Sequence, residues 1–239
     1  MDGGYAVYGI DIGIIVLETY FPRLVGDMGY ATTFDFPVAY RSVSGALPKK
    51  VVGGDYSLLD KFILEARELE KLGVKAITTN CGYLARFQQE LAASVSVPVF
   101  SSSLLQVPLV SKMLNKNQKV GIIVADSRNI DDSVFNKVGW SSEDINIEVR
   151  GMEKSPEFNK VVLENAKSAN FSLLQEEVYE VCSKLYEECP DVGAIVIECT
   201  DLTPYAQFVK RRLKIPVFDI VTLINMVYEA VHIKDEHDL

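Results

Sequence analysis

A repeat within the sequence narrows the folds open to this chain. Ala76-Ile77 lies five and four residues before Cys81, and Ala194-Ile195 lies five and four residues before Cys199. Seventeen residues past each cysteine stands a proline in the same setting, Val97-Pro98-Val99-Phe100 and Ile215-Pro216-Val217-Phe218. All these landmarks keep one offset of 118 residues. Upstream, Gly13-Ile14-Ile15-Val16 recurs as Gly121-Ile122-Ile123-Val124 at an offset of 108, and we assign the ten-residue difference to the loop after Val16. A register held across half the chain marks two structurally related halves.

Within each half the pattern alternates strand and helix, which predicts an α/β fold of two pseudo-symmetric halves, each a mostly parallel sheet flanked by helices. Residues 56–72 form a helical pattern with Leu58, Leu59, Phe62, Ile63, Ala66 and Leu69 on one face and Gly73 as a stop. Residues 76–79 then read as a strand. Residues 172–189 and 192–197 are their counterparts in the second half, with Pro190 ending the helix. The expected boundaries are 1–110 and 111–239, with the C-terminal helix as a candidate to complete the first half.

Composition excludes several classes of function. A net charge of −9 repels a phosphate backbone, and the basic cluster Lys210, Arg211, Arg212 and Lys214 falls where a helix ends and complements its dipole, so nucleic acid is not an expected partner. No apolar run reaches the roughly 20 residues of a membrane span, and Met1-Asp2-Gly3-Gly4 lacks a basic leader start; the expectation is a cytoplasmic protein with no membrane contact. The four cysteines form no Cys-x-x-Cys, and only His232 and His237 are available to join them, so reduced thiols without a metal are expected. Cys182 and Cys189 share the apolar face of the 172–189 helix and read as packing residues. Asp11 and the Asp131-Asp132 pair read as surface charges, and the two histidines as non-catalytic.

Cys81 and Cys199 are different, because both fall just past strand C-termini, where ligands bind in open parallel sheets. Each precedes a helical segment: Gly82 permits entry to a helix running through Leu91, and Thr203-Pro204 reads as an N-cap with its first turn. Such helix starts lower a thiol from about 8.5 into the range of roughly 3.5 to 7.5. Two thiols facing one cleft suit proton transfer at a carbon: one thiolate removes the proton and the opposite thiol supplies one to the other face. Thr79, Asn80 and the Gly82 N–H on one side, with Thr200 on the other, are placed to stabilise the developing enolate oxygens. Glu198 and Asp201 flank Cys199, and their negative charge makes that thiol the expected initial acid.

Thr79-Asn80-Cys81-Gly82 and Glu198-Cys199-Thr200-Asp201-Leu202 resemble the two cysteine signatures of the aspartate/glutamate/hydantoin racemase superfamily. The resemblance runs through nearly the whole chain by way of the repeat. It implies a small-molecule racemase or epimerase independent of pyridoxal, commonly a homodimer, with Cys81 and Cys199 as the catalytic pair and Thr200 on the substrate α-carboxylate. The first signature departs from the Cys-Asn-Thr of aspartate and glutamate racemases, since Gly82-Tyr83 follows Cys81. The loop Glu18 to Arg23 departs as well. Arg23, with Arg41 as a weaker second, is the candidate partner for a substrate side-chain carboxylate. Aspartate or glutamate is therefore the leading substrate, a hydantoin the alternative, and a one-cysteine decarboxylase or isomerase of the same superfamily a further one. A non-catalytic small-molecule binding module remains the reading from another class.

Overall fold

The computed structural model describes residues 4–233. His237 and the first three residues of the chain lie outside the described residues. The first half contains β1 (Ile12–Leu17), β2 (Val38–Val43), α1 (Pro48–Val52), α2 (Leu59–Leu72), β3 (Ala76–Thr79), α3 (Gln88–Ser94), β4 (Val99–Phe100) and α4 (Val107–Met113). The second contains β5 (Lys119–Val124), α5 (Asp132–Phe135), β6 (Ile147–Gly151), α6 (Pro156–Phe158), α7 (Phe171–Glu188), β7 (Val192–Ile197), α8 (Ala206–Leu213), β8 (Val217–Phe218) and α9 (Ile220–Val231). Two four-stranded sheets result, ordered β2-β1-β3-β4 and β6-β5-β7-β8, with every paired strand parallel.

The predicted apolar face of α2 is the one that packs: Phe62, Ala66 and Leu69 are fully buried, and Gly73 ends the helix in the left-handed region with φ 94°. The repeated Gly-Ile-Ile-Val has a packing cause. A Cβ on Gly13 of β1 would lie 2.9 Å from Leu69 of α2, and one on Gly121 of β5 would lie 2.7 Å from Leu185 of α7. In both halves the absent side chain lets the long helix settle onto the central strand.

The halves exchange their last helices. α4 packs on β5, while Ile220, Leu223 and Ile224 of α9 join Ile12, Ile14, Ala76 and Phe100 in the core of the first sheet. α9 opens with a reciprocal capping box: the Asp219 carboxylate accepts from the Thr222 N–H at 2.8 Å, and the Thr222 hydroxyl accepts from the Asp219 N–H at 3.0 Å. Replacing Asp219 with alanine removes that cap and is expected to lower stability by about 1 kcal/mol, read as a lower urea midpoint with an unchanged slope.

The extra length does not sit after Val16. In strand register Ile12 faces Val38 and Ala76, whereas Val120 faces Ile147 and Ala194. Nearly all the added residues therefore lie in the second half between β6 and β7. They form α6, a π-helical stretch Asn159–Leu163 and a turn at Asn165, which has a positive φ of 58°. Sequence landmarks locate the ends of an insertion and leave the choice of half to the count between them, and here the longer half is the second. Asp11 is also not a surface charge. It is buried and paired with Lys75 at 2.9 Å and with His232 Nδ1 at 2.7 Å, tying the end of α9 to the start of β1. Asp131 caps α5 through the Ser133 N–H, and Asp132 accepts from Ser142.

Candidate active site at the seam of the two halves

Cys81 and Cys199 lie beyond the C-terminal ends of β3 and β7 and line one small, tight cavity. Its walls are mostly apolar. Leu17, Pro48 and Val52 come from the first half, and Ala125, Val162 and Leu163 from the second, with Gly82, Tyr83, Thr200 and Asp201 beside the thiols. The π-helical turn supplies Val162 and Leu163, so the insertion in the second half closes one side of the cavity. Asn165 holds that segment against the first half, accepting from the Tyr20 N–H at 2.6 Å and donating to the Glu18 carbonyl at 3.1 Å.

The seam around the cavity is hydrogen-bonded from both sides. The Tyr83 hydroxyl donates to the Asp126 carbonyl at 2.5 Å and accepts from its N–H at 2.8 Å. Ser103 donates to the Ile197 carbonyl at 2.7 Å. The Thr200 hydroxyl donates to the Asn80 carbonyl, joining the two cysteine segments directly. Thr79 points elsewhere, donating to the Ser101 carbonyl at 2.7 Å, and the Asn80 side chain accepts from the Leu17 N–H at 2.7 Å. These two residues hold the loop; Gly82 and Thr200 are the members of the predicted set that line the cavity with the thiols.

Arg23 is held by carboxylates of the protein itself. One guanidinium nitrogen lies 2.6 Å from Asp27 and 2.8 Å from Asp201, the other donates to Thr19 at 2.9 Å, and the group stacks over Phe21 at 4.5 Å. It lines two neighbouring clefts, and it reaches the cysteine cavity only through Asp201. Arg41 pairs with Glu65 at 2.7 Å on the surface.

Each cysteine leads into a 3-10 helix, Gly82–Phe87 and Thr200–Tyr205, before α3 and α8 begin. Thr203 is inside the second of these and donates to the Thr200 and Gly26 carbonyls, so it is not an N-cap. The short helices offer the sulfurs little: one backbone N–H each, from Tyr83 to Cys81 and from Asp201 to Cys199, favours the thiolate. Burial outweighs it. Cys81 is 9% exposed and Cys199 6%, and both thiols are driven well above the ordinary range, against the expectation of a lowered value. Negative neighbours add to the effect, Glu198 at Cys81, and Asp201 followed by Glu198 at Cys199.

Two buried carboxyls, Glu198 and Asp201, thus belong to the site, where the sequence shows them only as charges flanking Cys199. Burial pushes Asp201 up to about 6, with Arg23 opposing and Asp27 adding to the rise. Burial pushes Glu198 up to about 8, with Arg86 opposing. Among the described residues no cluster of three or more His, Cys, Asp or Glu side chains has the arrangement of a metal site, and no helix is long and apolar enough to cross a membrane.

No family model matches the chain. It is 26% identical over 229 residues to dimethylsulfoniopropionate lyase 7 of Emiliania huxleyi, covering 92% of this chain and 67% of that protein. It is 27% identical over 227 residues to dimethylsulfoniopropionate lyase 6 of the same organism, covering 92% of this chain and 59% of that protein. The chain thus spans about three-fifths to two-thirds of the length of these curated relatives. Among solved structures it is similar to allantoin racemase from Klebsiella pneumoniae, with a TM-score of 0.63 and 16% identity over 92% of this chain and 86% of the other. It is also similar to glutamate racemase RacE1 from Bacillus anthracis, with a TM-score of 0.59 and 14% identity over 92% and 82% of the two chains. These likenesses show the fold: two parallel four-stranded sheets flanked by helices, as in these racemases.

Proposed function

We propose that this protein is a lyase that removes a proton from the carbon next to a carboxylate and expels a sulfonium leaving group, with dimethylsulfoniopropionate as the substrate. The charge of the cavity carries this reading. Asp201 stands in an otherwise apolar wall, no cation lines the cavity among the described residues, and Arg23, which reaches it only through Asp201, is shared with Asp27. Such a site favours a substrate carrying a methylated cation and opposes a second carboxylate. The sequence likeness to dimethylsulfoniopropionate lyases supports the same choice.

The chemistry needs one base. A cysteine thiolate takes the proton from C2, the electron pair forms the C2–C3 double bond, and the C3–S bond breaks with its electrons on sulfur. Neutral dimethyl sulfide and acrylate leave, and the proton stays on the cysteine. Donors at the substrate carboxylate stabilise the charge that builds there, and the Thr200 and Gly82 segments are the candidates. Dimethyl sulfide measured by gas chromatography, with acrylate by proton NMR, tests the proposal. Equal amounts of both are expected. Failure to turn over this substrate by a folded protein overturns the reading.

Racemisation of aspartate, glutamate or a hydantoin is the second reading, and the presence of both thiols on one cavity favours it. Polarimetry on single enantiomers distinguishes the two, since only a racemase removes the optical rotation without releasing a product.

A further inference from the structure

Glu198 has an environment that packing alone does not account for. Its side chain is fully buried, and neither carboxylate oxygen has a hydrogen-bond partner among the described residues. It immediately precedes Cys199 and rests against Gly82, the residue after Cys81, so that a Cβ on Gly82 would overlap it. The carboxyl therefore sits where the two cysteine segments meet. The titratable and charged groups that act on or respond to it are Cys81, Tyr83 and Arg86 from the first half and Cys199 and Asp201 from its own segment.

We propose that Glu198 is a positioning residue that governs whether Cys81 can act as a base: the cysteine gives up its proton only while the Glu198 carboxyl is uncharged. Charge balance is the reason. Asp201 has Arg23 as its partner, so Arg86 is the one cation that offsets a further negative charge in this dry seam. Arg86 is itself buried, donating to the Asn129 carbonyl at 3.0 Å and lying 5.7 Å from the Tyr83 ring centre. One anion, carboxylate or thiolate, is tolerated there; a second meets strong repulsion at low local dielectric. Near neutral pH the buried carboxyl holds its proton, since burial pushes it up to about 8, and the thiolate is the anion the seam can accept. Above that value the carboxylate takes the place of the thiolate.

This inference rests on Cys81 being the reactive base, and its test needs no substrate. Alkylation of each cysteine by iodoacetamide is followed across pH by peptide mass spectrometry in the wild type and in Glu198→Gln, which keeps the shape and cannot ionise. The Cys81 rate should rise about tenfold per pH unit in both proteins up to about pH 8. Beyond that the wild type should flatten while Glu198→Gln keeps rising, opening a gap of about tenfold for each further unit. Half-buried Cys189 is the reference that should not differ, and core residue Cys182 should stay unreactive if the variant is folded. A wild-type profile without a break, or the same break in Glu198→Gln, overturns the proposal; the wild-type profile alone decides it if the variant does not fold. Dimethyl sulfide release is scored separately, so a missing lyase activity beside the expected alkylation profiles sinks the lyase and leaves Glu198's role standing.

Discussion

Replacing Cys81 with serine is expected to lower turnover by about a thousandfold, and replacing Cys199 by clearly less, with the melting temperature little changed in both. Each sulfur lies in the wall of the same cavity, so the substitution removes a proton acceptor or donor without taking away core volume. A serine hydroxyl is a far weaker acid than a thiol, and loss of a positioned acid or base costs roughly 10²–10⁴ in rate. The pattern across the pair also separates the reactions. Racemisation needs both groups and loses comparable activity in each variant, whereas elimination needs one base and should leave more activity in the other variant. Initial rates of dimethyl sulfide release and of racemisation, measured on both variants beside their thermal melts, check this. Wild-type rates in both would mean that the thiols are not the machinery.

Gly82→Ala should be damaging out of proportion to one methyl group. The added Cβ would overlap both the Glu198 carboxylate and its backbone carbonyl. A side chain can turn away, but the carbonyl belongs to the backbone that carries Cys199, so relief requires one cysteine segment to shift against the other. Overpacking of this kind costs roughly 1–3 kcal/mol of stability. Displacing a reacting group by about 1 Å costs on the order of a hundredfold in rate. The double variant Gly82→Ala with Glu198→Ala relieves only the side-chain overlap and should not restore activity. Denaturant titration and steady-state rates on the single and double variants make the comparison, and a fully active Gly82→Ala would show that the segments are not locked together.

Much of the architecture was legible because packing wrote it into the sequence twice. Gly13 and Gly121 must both lack a side chain under Leu69 and Leu185, and the cysteines follow the third strand of each half by the same step. The strand 192–197 and the helix near 172–189 follow from apolar period and a terminating proline, and the structure has them at Val192–Ile197 and Phe171–Glu188. Three features were not legible, each for a physical reason. The π-helical turn that brings Val162 and Leu163 to the cavity has neither a 3.6- nor a 2-residue period to announce it. The thiol environment depends on burial, and the same Cys-x-x sequence at an exposed helix start would have given the opposite shift. Arg23 matches the chemistry of a carboxylate ligand, yet it is already paired with Asp27 four residues on and with Asp201, which meets it only across the folded seam.

The central claim is that a cysteine in this cavity takes a proton from the carbon beside the substrate carboxylate. Dimethyl sulfide release from dimethylsulfoniopropionate carrying two deuteriums at C2, compared with the unlabelled compound at limiting concentration, tests it most directly. A clearly slower release from the labelled substrate is predicted, with no measurable release from the protein lacking both thiols. Equal rates from the two substrates, together with turnover that persists after both cysteines are replaced, would contradict the account.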